Sequence, residues 1–188
     1  MTSFYDVLKS REYLIIDTET TGLTEDAELC SLAVIDAKGK MILNRLVKTV
    51  HPIPAQASAI HGITDQTVST SPTWLDLKAE FEAVVKGREL VIYNAAYDLR
   101  IIRQTYAAHG LTLPVLNFRS HCAMEVFAVR YGDWNDYHNS FTWQKLSTAA
   151  EFYGAATDDA HDALADCKMT LAVCEGMLRE YEEAESDQ

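Results

Sequence analysis

No stretch of the 188-residue sequence approaches the roughly 18 uninterrupted apolar residues of a membrane span, and the first residues form neither a basic n-region nor an apolar h-region. Membrane association and export are therefore not expected, which leaves the cytoplasm. Cysteine is scarce: Cys30, Cys122, Cys167 and Cys174 form no CxxC pair, so reduced, mostly buried thiols are expected rather than a disulfide framework. His51, His121 and His138 stand at no zinc-type spacing from any of them and read as structural or exposed. Basic residues are also few, 16 against 28 acidic, and the resulting −12 excludes the broad positive surface of a generic nucleic-acid coat. Internal repeats, linkers and low-complexity stretches are lacking.

Hydrophobic residues make up 48% and charged residues 23%, ordinary globular usage in a chain long enough for one core. The expected organisation is one domain over residues 1–180, followed by an acidic, disordered tail over 181–188. Much of the charge is local. With the five tail acids and four proposed metal ligands set aside, the net charge falls from −12 to −3. A polyanionic substrate thus stays open, provided divalent cations neutralise its site.

The apolar run at 13–17 reads as a buried strand, and strands at 29–36 and 41–47 follow across a turn at 37–40. Residues 51–72 hold three of the four prolines and read as loop with one short helix after Thr64. Helical spacing predicts helices over 74–85, 98–109 and 123–130, with strands at 90–93 and 116–118 between them. Residues 131–143 read as an aromatic-rich loop, with Trp143 before Leu146 looking like core. The last helix carries Leu164, Cys167, Leu171, Cys174, Leu178 and Tyr181 as one apolar stripe, so its cysteines read as packing residues. Alternating strands and helices imply an α/β fold.

Asp17 and Glu19 lie two apart at the end of the first strand, so both project to one sheet face and offer oxygens to a hard cation. Read alone, they are more simply an acidic strand-to-turn junction. Asp98, after the 90–93 strand, arrives at the same sheet rim or serves as an acid in a first helical turn, and Asn94 suits a helix cap. His161 and Asp166 are five apart, about 140° around an ideal helix, so His161 belongs in the preceding loop or a frayed first turn. There it suits a general base. Asp158, Asp162 and Asp166 read alternatively as a solvated acidic stripe. Four carboxylates and a histidine match the needs of two-metal phosphodiester hydrolysis. The aromatics of 131–143 suit base stacking or packing, and Arg100 with Arg103 suits either a phosphate backbone or a solvated face.

Four segments occur in the order and spacing of a known family: Asp17-Thr18-Glu19-Thr20-Thr21-Gly22-Leu23, Ile60-His61-Gly62-Ile63-Thr64, Asn94-Ala95-Ala96-Tyr97-Asp98, and His161-Asp162-Ala163-Leu164-Ala165-Asp166. Across about residues 12–175 the sequence resembles the DEDDh 3′→5′ exonucleases of the DnaQ-like branch, which includes the epsilon proofreading subunit of bacterial DNA polymerase III. The resemblance implies a ribonuclease H-like fold with a five-stranded mixed sheet flanked by helices. It implies two Mg²⁺ ions, with Mn²⁺ as a substitute: Asp17, Glu19 and Asp166 hold one, Asp17 helps hold the other, and Asp98 supports the shell partly through water. His161 would deprotonate the attacking water, releasing nucleoside 5′-monophosphates. Thr20 and Leu23 would hold the terminal nucleotide, with His61 and Asn94 near the same pocket. Tyr93 departs from the family's frequent histidine, and Tyr97 from its common phenylalanine.

The implied substrate is the 3′ end of a nucleic acid, single-stranded DNA before RNA. A DNA polymerase is the implied partner if the chain proofreads, and none is implied if it trims ends alone. RNA-end trimming is the alternative. An HD-type phosphohydrolase built on His161-Asp162 conflicts with the strand at 13–17, and a non-catalytic polymerase scaffold conflicts with the presence of all five catalytic residues.

Overall fold

The computed structural model describes residues 3–157 and 160–187. Asp158 of the proposed acidic stripe lies outside them. A helix, α1 (Phe4–Ser10), not expected from the sequence, opens the chain behind a Ser3–Asp6 capping box. Then come β1 (Tyr13–Thr20), β2 (Leu29–Asp36) and β3 (Met41–Leu46), an antiparallel meander. The tight β2–β3 turn forms because the Asp36 carboxylate accepts the backbone N–H groups of Lys38 and Lys40, at 2.8 and 2.9 Å. β1 outruns the expected 13–17, since pairing with β2 carries it on through Asp17 and Glu19 to Thr20.

Two short helices, α2 (Ala55–His61) and α3 (Asp65–Val68), occupy the stretch expected to hold one. Next are α4 (Trp74–Val85), β4 (Glu89–Ile92), α5 (Ala95–Ala108) and β5 (Arg119–Cys122). The last expected strand is thus displaced from 116–118 to a polar edge strand, whose Arg-Ser-His-Cys sequence carries no apolar run. After α6 (Ala123–Tyr131), the aromatic segment is a small hairpin rather than plain loop, with β6 (Trp134–Asn135) paired to β7 (Ser140–Phe141). The chain ends in α7 (Leu146–Phe152) and α8 (Ala163–Ser186).

The main sheet has the order β3-β2-β1-β4-β5, antiparallel at β1–β2 and β2–β3 and parallel at β1–β4 and β4–β5. It is the five-stranded mixed sheet expected. Alternation along β1 splits the core: Leu14 and Ile16 pack against α4 and α5, whereas Tyr13 and Ile15 pack against α1, α6, α7 and α8. Asp17 and Glu19 continue the second set, so their carboxylates leave the sheet on the side of α8.

The acidic end departs from expectation, because α8 stays helical through Ser186. Tyr181 stacks on Tyr5 at 4.1 Å between centroids, and Lys9 pairs with Glu185 at 2.5 Å, tying that end to α1. Among the described residues no helix is long and apolar enough to cross a membrane.

Candidate active site

The start of α8 delivers the third acid. Asp162 caps the helix, its carboxylate accepting from the N–H groups of Leu164 and Ala165 at 3.1 and 3.0 Å. Asp166 sits one turn in. The cap excludes a helical stripe running back from Asp166, and it leaves His161 in a turn with φ +71°, off the helix as its offset from Asp166 requires. The backbone N–H of His161 donates to Asp166 Oδ1 at 3.2 Å.

One ligand oxygen from each of Asp17, Glu19 and Asp166 lies within 4.8 Å of the others. Among the described residues no basic side chain forms an ion pair with them. Burial first, and then repulsion from Asp166, Asp162 and Asp98, pushes Glu19 up to about 8. Asp166 rises to about 6, mainly through burial, with the His161 N–H pulling the other way. Asp17 is held well above the carboxylate range by burial and by Asp98, Asp166 and Glu19. Three convergent oxygens with no cation among the protein's own side chains fit a hard divalent metal ion.

Asp98 does not join that set. It is 4% exposed and accepts a hydrogen bond from the Thr18 hydroxyl at 2.7 Å, close enough to Asp17 for its charge to push that carboxyl up. Burial raises its pKa and the Thr18 bond opposes the rise. Thr18, which the two-residue period of β1 places opposite Asp17 and Glu19, thereby ties Asp98 to the strand that carries them.

An apolar cavity of about 430 Å³ opens beside Glu19, lined by Thr20, Leu23, Ile60, His61 and Tyr97 among others. Leu23 is 78% exposed at its mouth. Tyr97 clamps its floor, its hydroxyl 2.7 Å from that of Thr20 and donating to the Gly22 carbonyl at 3.0 Å. Arg100 reaches the Leu23 and Thr24 carbonyls and lies over the Tyr97 ring, so it braces this loop, while Arg103 is exposed.

His61 lines the cavity as expected, but Asn94 does not. Asn94 lines a second cavity, of about 480 Å³, with Tyr93, Trp143, Lys145, His161 and Asp166. Trp143 is 63% exposed and not core. Elsewhere His51 pairs with buried Glu28 and His121 with Glu89, in keeping with a reading of both as structural or exposed. All four cysteines are free, three of them buried.

The exonuclease family RNase_T matches residues 14–174. The protein named Uncharacterized exonuclease CP81, from Escherichia phage 186, is 43% identical over 171 residues, 88% of each chain. DNA polymerase III subunit epsilon of Buchnera aphidicola is 29% identical over 123 residues, 60% of this chain and 52% of that protein. Among solved structures, Exonuclease X in complex with 5′ overhanging duplex DNA superposes with a TM-score of 0.65 at 25% identity, covering 88% of this chain and 90% of that one. The E. coli ExoI–ssDNA complex gives 0.72 at 20% identity over 89% of this chain and 40% of that one, a likeness of fold. The chain thus spans about half of the epsilon subunit and less of exonuclease I.

Proposed function

The chain belongs to the RNase_T exonuclease family, and on that basis we propose that it is a two-metal 3′→5′ exonuclease that removes nucleoside 5′-monophosphates from the 3′ end of DNA. The observation that carries the reading is the convergence of Asp17, Glu19 and Asp166 within 4.8 Å beside His161. Asp17, Glu19 and Asp166 would hold two Mg²⁺ ions, replaceable by Mn²⁺, with Asp98, which accepts from the Thr18 hydroxyl, supporting the metal shell partly through water. When bound, such ions polarise the phosphate and make water more acidic.

His161 accepts the proton of the attacking water. The water oxygen forms a bond to phosphorus as the bond to the 3′-oxygen of the preceding nucleotide breaks, and that oxygen takes a proton from solvent to leave as a 3′-hydroxyl. Thr20 and Leu23 bound the site of the terminal nucleotide, and His61 holds the Thr20 carbonyl at 3.1 Å. Asn94 would approach the same nucleotide from the second cavity. DNA is favoured because Exonuclease X and exonuclease I were solved with DNA and the epsilon relatives are polymerase subunits. Both a polymerase-bound proofreading role and a free-standing trimming role are compatible with this chemistry.

The test is a time course on matched 5′-labelled single-stranded DNA and RNA, with Mg²⁺, with chelator, and with Asp17→Asn. The expected result is a descending ladder on DNA that chelator and substitution both abolish. A ladder on RNA alone moves the substrate to RNA ends, and none on either overturns the reading.

A further inference from the structure

We infer that Trp143 stacks on the base of the 3′-terminal nucleotide and so selects unpaired 3′ ends. The inference rests on the proposed exonuclease reading and extends it. Trp143 lies two residues beyond the β6–β7 hairpin; the residue is 63% exposed and lines the cavity that His161 and Asp166 also line.

Its backbone is held on both sides. The Thr142 N–H donates to the Asp133 carbonyl at 2.8 Å, closing the hairpin, and the Gln144 amide donates to the Thr142 carbonyl at 3.1 Å. The Tyr93 hydroxyl reaches the carbonyls of Gln144 and Lys145 at 3.0 and 3.2 Å. An indole left open to solvent on pinned backbone keeps only its two side-chain torsions free, so little freedom is lost when a flat ligand covers it. Tyr93, which stands where the family often has histidine, thereby acquires a definite role, since it anchors the segment that carries Trp143.

The geometry of displacement assigns the base. In-line attack puts the water, and the group that takes its proton, opposite the leaving 3′-oxygen. His161 shares its cavity with Trp143, so the upstream strand departs on the other side, and the base nearest the indole belongs to the nucleotide being released. Glu19 lines one cavity and Asp166 the other, and these two carboxylates bring oxygens within 4.8 Å of each other, so the terminal nucleotide is seated where the two cavities meet the acidic cluster. Stacking requires an unpaired base, and Lys145 adds a positive charge for the phosphate chain.

The experiment compares kcat/KM on three single-stranded DNA oligonucleotides, unmodified, abasic at the 3′-terminal position and abasic at the penultimate position, for wild type, Trp143→Ala and Trp143→Phe. Wild type is expected to lose about 5- to 150-fold on the terminal-abasic strand, the range of one base–aromatic stack. In Trp143→Ala this penalty should shrink at least about 5-fold, and Trp143→Phe should restore most of it. The penultimate-abasic penalty should be the same in all three proteins. Each penalty is a ratio within one preparation, so partial misfolding of a variant cancels. An unchanged terminal penalty in Trp143→Ala, or coupling to the penultimate base instead, overturns the inference. Failure of wild type to degrade the unmodified strand overturns the exonuclease reading itself.

Discussion

At the scale of single residues, two histidines show how environment assigns roles. His61 Nδ1 accepts the Ile63 N–H at 3.0 Å, so the ring proton sits on Nε2 and donates to the Thr20 carbonyl. Burial lowers its pKa, leaving a neutral brace under the β1 end rather than an acid or base. His161 spends only its backbone N–H, on Asp166, and among the described residues its ring has no hydrogen-bond partner. Its φ of +71° is tolerated best by glycine and asparagine, so His161→Asn removes the proposed base while keeping the turn. That variant should lose about 10²- to 10⁴-fold in kcat with an unchanged unfolding midpoint. Activity within a few-fold of wild type would remove His161 from proton transfer. The position of His161 was legible because its offset from Asp166 forbids a shared helix face. The exposure of Trp143 was not, since an indole three residues before a helical leucine is locally indistinguishable from a core residue. What holds it in solvent is a hairpin and a tyrosine 50 residues earlier in the chain.

At the scale of elements, α8 connects the site to the core. Its first turn carries Asp166, Cys167 lies against the backbone carbonyls of Ile15 and Ala33, and its middle packs on α7 through Gly176. A Cβ at Gly176 would come 2.2 Å from the Tyr153 ring, whose hydroxyl donates to Glu180 at 2.9 Å. Gly176→Ala should therefore destabilise by about 1–3 kcal/mol despite alanine's better helix propensity, because the ring is backed by Phe127 and Phe152. Urea unfolding checks this. Tyr153→Ala should make the glycine substitution nearly neutral, and additive costs would show that the ring is not the obstacle. The apolar stripe announced α8, as the buried run announced β1. Other elements were less legible for physical reasons. β5 is polar because it lies at the sheet edge, and α2 follows two prolines that elsewhere mark loop. The acidic end stays helical because Tyr5 and Lys9 of α1 stand opposite it, a long-range contact that its run of like charges does not reveal.

At the scale of the whole molecule, the fold concentrates negative charge where metal would neutralise it, and its stability should record that. Glu19 and Asp166 titrate near 8 and 6 in the folded state, against 4.5 and 3.8 as free groups. Between about pH 4 and 8 the folded chain therefore holds protons that the unfolded chain has released, and metal-free stability must fall as pH rises. The stabilisation is complete below about pH 4 and lost on passing through the two folded-state values. His61, with its lowered pKa, has the opposite slope, but its contribution is finished by about pH 7. The paired carboxylates Asp6, Glu89 and Glu180, lowered below their free values, have released their protons in both states before pH 7. From pH 7 to 8 the decline accordingly reports Glu19 and its neighbours. Thermal melts in chelator should fall across that interval, and Mg²⁺ should raise the midpoint most at pH 8, where the carboxylates are least protonated and binding selects the folded state. Glu19→Gln removes one charge from the cluster, so it should raise the metal-free midpoint at pH 8 by at least about 2 °C while losing much of the Mg²⁺ response. A metal-free midpoint that is flat or rising from pH 7 to 8, or a Glu19→Gln protein that Mg²⁺ stabilises as fully as wild type, would show that Glu19 is not held in this carboxylate cluster.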